Sequence, residues 1–113
     1  MLEPRQIVSH LNRLGVTFFC GVPDSLLKDF CGYVAEQLGS QNHVITANEG
    51  SALALASGHY LATGQTPLVY MQNSGFGNTI NPLVSLADPD VYSIPLVLMV
   101  GWRGAPGTKD EPQ

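Results

Sequence analysis

His43-Val44-Ile45-Thr46-Ala47-Asn48-Glu49-Gly50-Ser51-Ala52-Leu53-Ala54-Leu55-Ala56-Ser57-Gly58 passes from a short apolar run, through a polar turn, into a helix of very small residues. The run at 43–46 reads as a strand and the Ala- and Leu-rich segment from Glu49 as a helix, one strand–helix unit. Glu49 stands at the junction. Small residues let other backbone come close to a carboxyl placed there, and dehydration favours its protonated form. Such an acid is suited to hold or exchange a proton near neutrality. The window reads equally as a surface glutamate in a first helical turn, favoured by the helix dipole.

Upstream, Ile7, Val8, Leu11 and Leu14 share one face of a first helix that Gly15 ends. Residues 16–20 are a compact buried strand, stopped by Gly21-Val22-Pro23-Asp24. Asp24 or Ser25 is placed to cap the next helix, whose apolar positions are Leu26, Leu27, Phe30, Val34 and Leu38. Downstream, the Ala-rich helix is expected over 49–62, followed by a strand at 68–71, a polar glycine-rich loop at 73–78 and an apolar segment at 79–87. Ser93-Ile94-Pro95 opens a last strand at 96–100. The strands are continuous apolar runs, as required where helices cover both faces of a sheet. The pattern predicts a doubly wound parallel α/β sheet.

At 113 residues there is room for one layered core but not two. Charged residues are only 12%, so much of the surface is expected to be covered by a partner. A net charge of -4 with five basic residues argues against nucleic acid as that partner. No apolar run approaches the roughly 18 to 20 residues that span a bilayer, and the first residues lack the features of a secretory or transit signal. Cys20 and Cys31 match no CxxC or zinc spacing and read as two reduced thiols of a cytoplasmic protein.

In a doubly wound sheet the ligand crevice is built from loops at the carboxyl ends of the strands. Residues 21–25, 47–50, 72–78 and 101–113 fit that description and hold the notable polar side chains. The last of these segments is a long stretch without regular structure, of the kind that is more often functional than idle.

Read in order, these loops resemble the pyrimidine-binding, N-terminal domain of thiamine-diphosphate-dependent 2-oxo acid decarboxylases. The resemblance is strongest to the phosphonopyruvate branch, with sulfopyruvate enzymes next. It rests on Gly21-Val22-Pro23-Asp24-Ser25, on Asn48-Glu49-Gly50 with its Ala-rich helix, and on Gln72-Asn73-Ser74-Gly75-Phe76-Gly77-Asn78 continuing to Asn81-Pro82-Leu83. Gly101-Trp102-Arg103-Gly104, Pro106-Gly107 and Asp110-Glu111-Pro112-Gln113 complete it, so that the likeness spans essentially the whole chain.

The resemblance implies that Glu49 shares a proton with a ring nitrogen of the cofactor's aminopyrimidine, whose exocyclic nitrogen then takes the thiazolium C2 proton. It places Gly21, Pro23, Asn73 and Gly75 beside the cofactor as well. A small anionic 2-oxo acid substrate calls for cations and polar donors, and Arg103 and then Lys109 are the candidates for its anionic groups. Asp24, Ser25, Gln72, Asn73, Ser74 and Asn78 are the remaining substrate candidates, with turn building or helix capping as the plainer reading of each. Trp102 and His59 read as packing residues.

Diphosphate and Mg2+ are held in that family by a second domain with a Gly-Asp-Gly signature, which residues 1–113 lack. The expectation is therefore a diphosphate-binding domain or subunit as partner in a homo- or hetero-oligomer. The chain would be a pyrimidine-binding domain incomplete at its C-terminal end, with no metal site of its own. Two readings compete. One is a non-catalytic truncated module that docks on full-length subunits. The other is a flavodoxin-like domain in which residues 72–78 cradle a phosphate.

Overall fold

A computed structural model describes residues 2–109; Asp110, Glu111, Pro112 and Gln113 lie outside the described residues. Helix α1, Pro4–Arg13, begins with the residue whose missing N–H costs nothing in a first turn, and Gly15 at φ 85 reverses the chain behind it. Strand β1 is Phe19–Gly21, helix α2 Lys28–Gln37 and strand β2 His43–Ile45. Helix α3, Glu49–Thr63, has Asn48 as its N-cap, whose side chain accepts the Gly50 N–H at 2.7 Å. Gly64 closes it in the left-handed conformation at φ 73, its N–H on the Tyr60 carbonyl. Strand β3, Leu68–Gln72, a short helix α4, Ile80–Pro82, and strand β4, Val97–Gly101, complete the chain of elements.

All pairings are parallel, in the order β2-β1-β3-β4. Alternate strand residues face opposite ways. Phe19, Leu68 and Tyr70 pack with Val8, Phe30 and Val34 of α1 and α2. Phe18, Cys20, Val69 and Met71 pack with Ala52, Leu53 and Ala56 of α3. Helices thus cover both faces, as the apolar strand runs require. The chain steps from β1 out to β2, then returns past β1 to β3, so the winding reverses between β1 and β3. That reversal opens a crevice at their carboxyl ends.

Several local expectations change. Of residues 16–20 only the last two join β1, because three-residue β2 offers rungs from Phe19↔His43 to Gly21↔Ile45 and no further. Asp24 occupies a capping position before a 3-10 turn, Ser25–Leu27, but makes no side-chain capping bond. Its carboxyl is buried instead, with Oδ2 lacking a hydrogen-bond partner among the described residues. Residues 73–78, expected as a loop, belong to a 3-10 helix, Asn73–Thr79. The segment after it starts as α4 and widens to a π turn, Leu83–Ala87. Pro82 at that junction has no N–H to continue a regular ladder.

Both cysteines are free, and burial pushes the Cys20 thiol up to about 12, leaving it an inert core group. His59 stacks on Phe18 with ring centroids 4.3 Å apart, while its enclosed Nε2 has no partner among the described residues. It is a packing residue, as the sequence suggests, but not a fully satisfied one. No described helix is long and apolar enough to cross a membrane.

Candidate active site

Glu49 is the first residue of α3, immediately above the end of β2, where the Asn48 cap fixes the direction in which its side chain leaves the helix. The carboxyl is half-buried and accepts a hydrogen bond from Asn78 Nδ2 on Oε2 at 2.9 Å. Its other oxygen lies against the buried Gly75, where an added Cβ would overlap Oε1. Gly50 is equally confined, since a Cβ there would fall 2.7 Å from the Asn78 carbonyl oxygen. Gly75 and the Asn78 carboxamide therefore confine the Glu49 carboxyl at the mouth of the crevice, and Gly50 admits the Asn78 main chain beside it.

A second cluster lies on the same rim. Arg103, in the turn after β4, donates from its guanidinium to Ser25 Oγ at 2.8 Å. Its main-chain N–H reaches Asn73 Oδ1 at 3.1 Å, and Asn73 Nδ2 returns a bond to its carbonyl at 3.0 Å. Asp24 adjoins this group, since a Cβ on Gly101 would overlap its Oδ2. The Cys31 thiol behind Asp24 is raised by burial and by that carboxylate's charge, against a lowering backbone hydrogen bond from Asp24.

The 3-10 helix Asn73–Thr79 joins the two clusters, giving Asn73 to one and Gly75 and Asn78 to the other. Of the remaining candidates, Gly21 is buried at the end of β1, where a Cβ would overlap the Tyr70 carbonyl. Close strand packing alone accounts for glycine there. Gln72 ends β3 half-buried, whereas Pro23, Ser74 and Lys109 are exposed. No hydrogen bond among the described residues ties those three exposed side chains to either cluster.

Two polar groups escape a reading of the sequence. One is the Asn48 cap, which the Asn-then-helix pattern could have announced. The other is a half-buried bond between His43 Nε2 and Tyr70 Oη at 2.7 Å, for which the sequence holds no signal.

A parallel α/β crevice with an oriented carboxylate on its rim defines a ligand-binding domain of the doubly wound class. Residues 4–113 match the family described as thiamine pyrophosphate enzyme, N-terminal TPP binding domain. The chain belongs to that family. It is similar to the phosphonopyruvate decarboxylase of Streptomyces viridochromogenes, 42% identical over all of this chain and 28% of that protein. It is also similar to the sulfopyruvate decarboxylase subunit alpha of Methanococcus maripaludis, 37% identical over 80% of this chain and 52% of that subunit. The benzoylformate decarboxylase of Polynucleobacter necessarius shares the fold, with a TM-score of 0.71 at 24% identity over 89% of this chain and 18% of that one. The chain thus spans under a third of the length of the phosphonopyruvate decarboxylases it matches.

The residues present fit the pyrimidine end of thiamine diphosphate. Glu49 presents a carboxyl with which a ring nitrogen would share a proton, in a place that a side chain at Gly75 would take from it. Among the described residues no three His, Cys, Asp or Glu side chains gather as a metal-binding group.

Proposed function

We propose that this chain is the pyrimidine-binding half of the active site of a thiamine-diphosphate-dependent decarboxylase that converts phosphonopyruvate to phosphonoacetaldehyde and carbon dioxide. The observation that carries the reading is the Glu49 carboxyl, fixed by Asn78 and Gly75 at the carboxyl ends of the strands. The names of the Streptomyces relatives support the substrate.

Bound thiamine diphosphate supplies the carbon nucleophile and the electron sink for loss of carbon dioxide. Glu49 holds or shares a proton at the pyrimidine ring nitrogen, in a direction its two neighbours fix. Arg103, with Ser25 beside it, faces the substrate's anionic end, where a guanidinium suits a phosphonate or carboxylate better than an amine does. Lys109, exposed six residues further on, is the second candidate cation for that end. Diphosphate and Mg2+ belong to a second domain or subunit of a cytoplasmic oligomer. Sulfopyruvate is the alternative substrate, a reading favoured by the alpha subunits of which this chain covers about half.

Glu49→Gln in the complete enzyme keeps the side chain's size while removing the acid. Turnover is expected to fall roughly 10²- to 10⁴-fold, the usual range for loss of a positioned acid–base group, with an unchanged far-ultraviolet spectrum. Near-normal decarboxylation by this variant would sink the proposal.

A further inference from the structure

The side chain of Asn73 has one carboxamide oxygen and one nitrogen, and both are engaged by the main chain of a single residue. Oδ1 accepts the Arg103 N–H at 3.1 Å, and Nδ2 donates to the Arg103 carbonyl at 3.0 Å. Asn73 directly follows β3 and Arg103 lies two residues beyond β4, whose last rung is Gln72↔Gly101. The carboxamide therefore adds a rung to the β3–β4 ladder after the backbones have parted. Only a carboxamide does this: a carboxylate could accept the N–H but would set its second oxygen against the carbonyl oxygen. Beyond the rung, Gly104 turns the chain at φ 78, and the Arg103 guanidinium reaches back across the rim to Ser25 Oγ at 2.8 Å.

We infer that Asn73 is a positioning residue, not a ligand contact: it fixes the main chain of Arg103 so that the guanidinium stands beside Ser25 as the anion-binding group. The inference deepens the function proposed above and rests on Arg103 meeting the substrate's anionic end. Without the rung, the main chain at 102–104 loses its two bonds to the residue that follows β3, and the placement of the guanidinium on the rim loosens. Ground-state binding of the anion weakens, while the proton chemistry at Glu49, on the other cluster, is left in place.

The test uses the complete enzyme with phosphonopyruvate as substrate. Asn73→Ala is expected to raise KM about tenfold with kcat changed less than threefold, the mark of lost uniform binding. In an Arg103→Ala background the same change should raise KM no further, because the two residues act as one unit. A readout independent of catalysis is amide hydrogen exchange in the peptide containing Arg103, which should speed up in Asn73→Ala. If the alanine variant does not fold, Asn73→Ser, which can keep one of the two bonds, should show the same order with a smaller rise in KM. A kcat loss with KM unchanged, or exchange at Arg103 that stays slow, overturns the inference. Arg103→Ala with unaltered KM defeats the anion reading instead, and the exchange measurement then decides the Asn73 rung by itself.

Discussion

Gly75 and Glu49 show how closely the oriented carboxyl depends on an absent side chain. Because a Cβ at Gly75 would occupy the place of Oε1, Gly75→Ala must displace either the carboxyl or the 3-10 helix. Gly77, two residues on, has nothing within 4 Å of its would-be Cβ. On the role proposed for Glu49, Gly75→Ala should therefore lower turnover of the complete enzyme at least tenfold, as when a catalytic group is misplaced by about 1 Å. Gly77→Ala should stay near wild type, and steady-state rates of the pair give the comparison. Equal losses in both would mean that the glycines serve the turn rather than the carboxyl. Glu49 was legible in the sequence because an acid at a strand-to-helix junction is locally unusual. Its pairing with Asn78 was not, since residues 29 apart meet only through the reversal of the sheet.

Helix α3 is the element that carries Glu49, and its two ends were unequally readable. Gly64 after the helix signals a stop, and it adopts the left-handed conformation such a stop requires. Asn48→Ala should cost about 1 kcal/mol, the typical loss of an N-cap. Gly64→Ala, forced to φ 73, should cost a similar roughly 1–2 kcal/mol. Urea unfolding midpoints test both. Only the Asn48 change should also weaken activity, because that cap sets the direction of the first turn. The strands were legible because apolar runs between turn signals have few alternatives. The 3-10 helix Asn73–Thr79 was not. Asn, Ser and Gly read as loop, and what winds them here is packing against α3 together with a Thr79 Oγ1 bond to the Phe76 carbonyl at 2.6 Å.

At the scale of the molecule, the two-faced core follows from alternation along β1, β3 and β4, and so the architecture could be read before the structure. What alternation does not reveal is a polar link inside the α1–α2 side of that core. Tyr70 is fully buried on β3, and its hydroxyl meets His43 Nε2 at 2.7 Å, tying the β2 edge to the centre of the sheet. Burial raises the Tyr70 hydroxyl well above its ordinary range, so it stays protonated at all working pH values. Burial also holds His43 below its ordinary 6.5, and His59 likewise. Each imidazole is therefore neutral in the fold at a pH where the unfolded chain already binds a proton. Stability from these sites is complete above about pH 6.5 and declines as pH falls from there toward the lower folded values. Urea midpoints of the complete protein should accordingly drop between about pH 7 and pH 5. His43→Gln places a carboxamide near the position of Nε2, keeps a partner for Tyr70, and cannot titrate. It should start less stable, because the amide fills the ring's space imperfectly, yet lose less on acidification than the wild type. Parallel declines in the two proteins would remove His43 from the account and leave His59, enclosed against Phe18, as the group that acid disturbs.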